Sequence, residues 1–325
     1  MPRALAYLSA TALLAGLVTG PADARADSPA DRKLATARTP ILGDHLNATL
    51  PDGMTLAPRR ASIMSAENAA DDETRGMLDD GSARFVMMAY ELYGLAGTDP
   101  KTTVEADFKR ARHEATLSAV TLPKPLVGFQ FTPTKFASDK DANLVHGLYV
   151  VSGDGSVQVL AFYVNTAGAA KAADWAALAK KVVATLAPGK RVLAGTSGVR
   201  AAGDLVVTVP AGFVTTAQPG PDFLVTHLRK LSVLGQDTPS CGIYIGAHPS
   251  LQYKQTASKA PPKTIPGKLA GAKVDWTLWN SRGRWWTEAL TPHPNGKQQI
   301  HAFCSTPTEA EVPDLRKVVE TLRKK

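Results

Sequence analysis

The sequence predicts an α+β protein of two tandem modules, each an antiparallel-sheet α/β sandwich closed by a C-terminal helix. Three observations predict it. One hexapeptide is written almost twice, KVVATL at Lys181–Leu186 and KVVETL at Lys317–Leu322. A hairpin-like pattern of alternating apolar residues precedes both copies, and a run of glycines and small residues separates them.

The chain opens with Arg3 and then an uncharged apolar run, Ala4 to Val18, broken at Gly20 and Pro21 and followed by small residues. That is the pattern of a secretory signal peptide over residues 1–26, cleaved after Ala24 or Ala26. A membrane helix needs roughly 20 apolar residues, and neither this run nor any later one reaches that length, so no stable membrane insertion is expected. The expected location is secreted or periplasmic, and residues 27–39 read as a linker.

The first module is placed at 40–190. TLPDGM from Thr49 reads as a strand entering a tight turn, and ARFVMMAYELYG from Ala83 as a strand. KTTVEADFKRARHEATLSAV follows, with Val104, Phe108, Ala111 and Ala115 on one helical face. NLVHGLYVV, the turn GDG and GSVQVLAFYVN make a hairpin, and the closing helix places Ala179, Val182, Val183 and Leu186 on one stripe before Pro188 and Gly189 end it. After a linker at 191–203, the second module at 204–325 repeats the order: TVPAGF, PDFLVTHLRKLS, RWWTEALTP, the turn PNG, GKQQIHAFCST, then a helix with Leu315, Val318, Val319 and Leu322. Ala161 and Phe162 match Ala302 and Phe303 as landmarks. Where the first module has its inserted helix, the second has YKQTASKAPPKTIPGK, which Pro261, Pro262 and Pro266 keep from being helical. One face of the second sheet should therefore be less covered.

Cys241 and Cys304 are the only cysteines. In an exported chain an even count favours a disulfide, the alternative being two free buried thiols. The formal charge of +8 comes from scattered basic residues, which argues against a nucleic-acid groove and for a solvated surface with affinity for anionic envelope components.

A strand leading into LP-x-G-M/F, an antiparallel meander and a closing helix ending in a KVVxTL-like turn resemble the PsbP-like α/β sandwich, once per copy. That fold is shared by a photosystem II extrinsic protein, a Ran-binding nuclear import factor and many exported bacterial proteins. The resemblance implies a non-enzymatic binding role, because the members with a known activity mostly bind other proteins. It brings no shared catalytic residues to this chain.

Motifs for chemistry fail at named positions. HEATL has Leu117 where a zinc-protease helix needs its second histidine. GDGSVQ has Gln158 in place of the third glycine of a dinucleotide loop. DKDANL has Leu144 at the glycine turn of a calcium loop and Val150 at its glutamate. Glu67–Ser82, dense in carboxylates, reads as a surface loop. No metal and no cofactor are expected.

One cluster stands out: Trp276, Trp279, Trp285 and Trp286, on two strands joined by NSRG, with Arg282 and Arg284 beside them. Alternation sends Trp276 to one face and Trp279 to the other, and splits Trp285 from Trp286. These six residues are the candidate binding site, since Trp and Arg dominate binding hot spots. The favoured reading is an exported, non-enzymatic module that binds an envelope or extracellular protein through the second copy. The alternative is an enzyme or carrier for a small apolar or sugar-like ligand in a tryptophan-lined pocket, with Asp275 and Glu288 as its carboxylates.

Overall fold

The computed structural model describes residues 28–56, 73–81, 83–110, 115–133, 138–139, 142–193, 195, 197–255 and 261–325. The signal peptide and its cleavage points lie outside these residues, as do His113, Asp141 and positions 67–72 of the acidic stretch. The chain divides into two compact units. The first holds the described residues up to Val192 together with Val233–Gly235, and the second holds the remainder.

The first unit runs β1 (Thr39–Ile41), β2 (Leu46–Ala48), β3 (Thr55–Leu56), β4 (Glu73–Asp80), β5 (Ala83–Leu95), α1 (Pro100–Arg110), β6 (Ala115–Val120), β7 (Val127–Pro133), β8 (Ser138–Asp139), β9 (Ala142–Val151), β10 (Ser156–Asn165), α2 (Ala172–Ala184) and β11 (Ala187–Pro188). The second runs β12 (Gly198–Ala202), β13 (Leu205–Val209), β14 (Phe213–Pro219), β15 (Phe223–Lys230), β16 (Ser240–Gly246), α3 (Gln252–Gln255), β17 (Lys263–Leu269), β18 (Ala272–Ser281), β19 (Arg284–Pro292), β20 (Gln299–Thr306), α4 (Val312–Glu320) and β21 (Arg323–Lys324).

Each unit pairs a small sheet with a large one. The small sheets are β1-β2-β11 and β12-β13-β21. The large ones are β3-β4-β5-β10-β9-β7-β6, with β8 on β9, and β14-β15-β16-β20-β19-β18-β17. The two paths have the same topology, so the chain is two copies of one antiparallel architecture, as the repeated landmarks predict. Each closing helix buries its apolar stripe. Trp175, Leu178, Val182 and Val183 of α2 enter a core with Phe85 and Phe162, the Trp175 ring stacking on Phe85 at 5.2 Å. Leu315, Val318 and Val319 of α4 enter one with Trp276, Ile243 and the two cysteines. Cys241 and Cys304 face each other across β16 and β20 and form a disulfide.

Several sequence expectations are corrected. Glu73–Asp80 of the acidic stretch is strand β4, because Gly76 and Leu78 turn inward while Glu73 and Asp79 turn to the other face. The inserted helix ends at Arg110, and Ala115 begins strand β6, whose threonine and alternating apolar residues suit a strand better. The end of the proline-broken segment, from Lys263, is an edge strand: β17 pairs with β18 and carries Pro266 opposite Asp275, a position where the missing N–H costs little.

The match of Phe162 with Phe303 is also off by one residue. The first hairpin closes on Val151 and Val157, the second on Pro292 and Gln299, so the second loop is one residue longer. Counted from these pairs, Phe162 corresponds to Cys304. The cross-strand pair Met87–Phe162 of the first core is thus replaced by the Cys241–Cys304 bridge in the second. Phe303 lies on the opposite face of its sheet.

Candidate functional site

The tryptophan hairpin is joined by a two-residue turn, Arg282 and Gly283, both left-handed at φ 53° and 76°. The register pairs Trp279 with Trp286 and Asn280 with Trp285. Trp276 and Trp285 therefore share the face that α4 covers, and Trp279 and Trp286 share the outer one.

The six candidates divide by burial. Trp276 is wholly buried in the helix-side core and Trp279 is 2% exposed, so neither presents a surface. Trp279 is covered by Tyr253 of α3, an edge-on contact at 5.5 Å, and by the stacked ring of Trp286 at 6.3 Å. Trp285 and Trp286 are half-buried, and Lys263 Nζ sits 5.6 Å from the Trp285 ring centre. Arg282 is exposed at the turn, whereas Arg284 is held by Asp237 at 3.3 Å and by the Thr238 carbonyl at 2.8 Å. Trp279 faces outward but is covered, Trp285 lies on the helix side, and Trp286 is the tryptophan that opens onto the outer face.

Glu288 is buried beneath α3. Its two oxygens accept from the N–H groups of Gln252 at 2.7 Å and Tyr253 at 3.0 Å, and His301 Nε2 lies 2.9 Å from Oε2. A carboxylate so committed anchors the helix start. Asp275, by contrast, is exposed on the strand next to the edge.

The outer face extends past the hairpin onto strands that sequence reasoning left out. Phe223 stacks on Tyr244 at 5.6 Å, and the Phe303 ring lies over Gly242, where a Cβ would come within 2.2 Å of it. Phe223, Tyr244, Phe303 and Trp286 are all half-buried, and Arg229 stands on the same face of β15, the strand beside the β14 edge. The period-2 pattern in FLVTHLRK and SCGIYIG carried the signal, but the register that aligns the rings was not in it. His227 on the same face is held neutral, its pKa pushed down to about 4 first by burial and then by Arg229. Its Nε2 lies 3.1 Å from Gln218 Oε1.

The first unit shows what covers the equivalent strip. There α1 lays Val104 and Phe108 on Phe129, Phe131, Tyr149, Val151 and Val157. The Phe108 and Phe131 rings lie 5.1 Å apart, and the Tyr149 hydroxyl donates to Asp107 at 3.1 Å. Counting from the hairpins, the second unit has Asp275, Thr277, Leu290, Pro292 and Gln299 in place of those five sheet residues. Leu290 is 40% exposed. In place of the eleven-residue helix the second unit has the four residues of α3, which reach Trp279 and Glu288.

A second polar cluster sits inside the first unit. His45 Nδ1 contacts Glu91, and His45 Nε2 lies 3.2 Å from Ser156 Oγ. The order Ser, His, Glu is that of a nucleophile, base and orienting acid. Yet Ser156 is wholly buried, its hydroxyl bonds Asp154, and Gln158 Nε2 donates to its oxygen at 3.0 Å. Among the described residues no group of three or more His, Cys, Asp and Glu side chains is placed to hold a metal ion.

No family model and no curated protein matches the chain. Among solved structures it is similar to the immunity protein TplEi of T6SS from Pseudomonas aeruginosa complexed with "L" peptide, at 10% identity and a TM-score of 0.21, over 88% of this chain and 97% of that one. It is also similar to MucB in complex with MucA(peri), at 11% identity and a TM-score of 0.20, over 86% of this chain and 88% of that one. Overlaps this slight assign no family. Among the described residues no helix is long and apolar enough to cross a membrane.

Proposed function

We propose that this is an exported, non-enzymatic binding module, secreted or periplasmic after signal-peptide cleavage, that engages an envelope or extracellular protein through the outer sheet face of its second unit. One observation carries the reading: two copies of one architecture differ in cover, with eleven-residue α1 over the first sheet and four-residue α3 over the second. The aromatic row Phe223, Tyr244, Phe303 and Trp286 lies half-buried on the less covered face. Aromatic side chains with a nearby arginine are the groups that anchor protein interfaces, so the partner segment presents apolar side chains and a carboxylate for Arg229. The disulfide supports export, since such bridges persist in oxidising compartments. A PsbP-like identity for the two sandwiches belongs to the same reading.

Site-specific photocrosslinking tests it. A photoreactive residue at Tyr244 or Trp286, in the native envelope, should give one discrete protein adduct that the charge reversal Arg229→Glu removes. The same probe at Val199, which is 51% exposed on β12, should not give it. An identical adduct pattern at all three positions, or none at Tyr244 and Trp286, contradicts the proposal.

A further inference from the structure

We propose that strand β6 of the first unit pairs with β6 of a second copy of this chain, joining two first-unit sheets edge to edge in a reversible dimer. The inference rests on the chemistry of two edges that hold the same place in the two units. β6 ends the large sheet of the first unit, and β17 ends that of the second. A strand in that place turns half of its N–H and C=O groups away from the sheet, a template for any further strand unless side chains block the approach.

The second unit blocks it. β17 carries Lys263, Pro266 and Lys268, all three exposed. Proline takes a donor out of the edge, and an incoming strand would have to desolvate the lysines. β6 reads ATLSAV, with no charge and no proline, and it pairs with β7 from Ala115–Pro133 to Val120–Gly128 without a bulge. Thr116, Ser118 and Ala119 are exposed, so the edge is open to solvent. Among the described residues no strand pairs with its outer side. β7 behind it is uncharged as well, so two such edges can meet without like-charge contact between these strands, although the chain carries +8.

What fits this edge follows from its own side chains. Leu117 stands opposite Phe131, on the face that α1 covers, and packs with that cluster. Ala115 and Ala119 share this face, and Thr116 and Ser118 take the other. A twofold axis normal to the sheet keeps each face on its own side, so every residue meets one of its own face. With Leu117 on the axis, it meets its own counterpart, Thr116 faces Ser118 of the second copy in both directions, and Ala115 faces Ala119. Aliphatic meets aliphatic, hydroxyl meets hydroxyl and small meets small. Thr–Ser pairs hydrogen-bond across antiparallel strands, and the Leu117 pair carries the apolar strip beneath α1 across the axis. The strand is complementary to itself, which singles out a second copy over a foreign strand.

Two six-residue strands cover less than the roughly 1,200–2,000 Å² of a standard stable interface, so the dimer is reversible and concentration-dependent. The inference concerns the first unit, and it stands whether or not the second unit binds a protein.

Sedimentation equilibrium of the purified chain, up to roughly 1 mM, measures the association. The wild-type mass should rise with concentration toward twice that of one chain. Thr116→Lys with Ser118→Lys sets lysine against lysine twice across the axis and should weaken association by about tenfold. Thr116→Lys with Ser118→Glu sets lysine against glutamate twice and should restore it. Both positions are exposed, and the second variant reports on the pairing even if the first fails to fold. A wild-type chain that stays monomeric over this range overturns the proposal, including the case in which β6 is covered only when envelope extract is added. So does a dimer that both variants leave unchanged, or that both weaken equally.

Discussion

The hydroxyl of Thr185 accepts the backbone N–H of Thr49 at 2.8 Å and donates to the Val182 carbonyl at 2.7 Å. Thr321 repeats both bonds with Thr208 and Val318, at 2.8 and 2.6 Å. This explains why the threonine persists in KVVATL and KVVETL: it ends the closing helix and ties that end to the unit's second strand, just past β2 in the first copy and within β13 in the second. The duplication is kept at the level of single hydrogen bonds.

Replacing that threonine by valine keeps the shape and removes the hydroxyl. Thr185→Val leaves a partly buried N–H unpaired and should cost about 1–2 kcal/mol. Thr321→Val, whose partner N–H is exposed and can turn to water, should cost less. Urea unfolding of the two variants measures the difference.

The disulfide closes a loop of sequence separation 63, and its removal by Cys241→Ala with Cys304→Ala should destabilise the second unit by about 2–4 kcal/mol. The first unit, which has Met87 and Phe162 at the equivalent pair, should melt unchanged. Calorimetry of the double variant shows which transition moves.

Acid should destabilise both units. Burial pushes the pKa values of His146 and His227 down to about 4 from 6.5, with Lys180 and Arg229 adding to it. Between those values the unfolded chain binds more protons than the folded one, so stability is full above about pH 6.5 and falls as pH drops. For His146, which is wholly buried, the loss by pH 4 is on the order of 3 kcal/mol. His146→Thr copies Thr287, the equivalent residue of the second unit, and should flatten the acid limb of the first unit's stability profile.

The order of elements was legible in the sequence because it is written in local signals: turns, alternation and helix-ending residues, each repeated. Faces were not. One extra residue in the second hairpin loop puts Phe303 outside where Phe162 is inside. Adjacent Trp285 and Trp286 had to diverge, but only the pairing of Trp279 with Trp286 says which one turns outward. The His45 network joins residues 46 and 111 positions apart in the chain, a proximity no spacing rule reports. Pro266 misled in the other direction, since proline excludes a helix yet is tolerated in an edge strand.

The central claim is that the outer face of the second unit is occupied by protein where the chain works. Hydroxyl-radical footprinting, comparing the purified protein with the protein in its native envelope, measures this directly. The account predicts that Phe223, Tyr244, Trp286 and Phe303 become protected together in the envelope while Val199 labels equally in both. Equal labelling of those four aromatic side chains in the two conditions would contradict it.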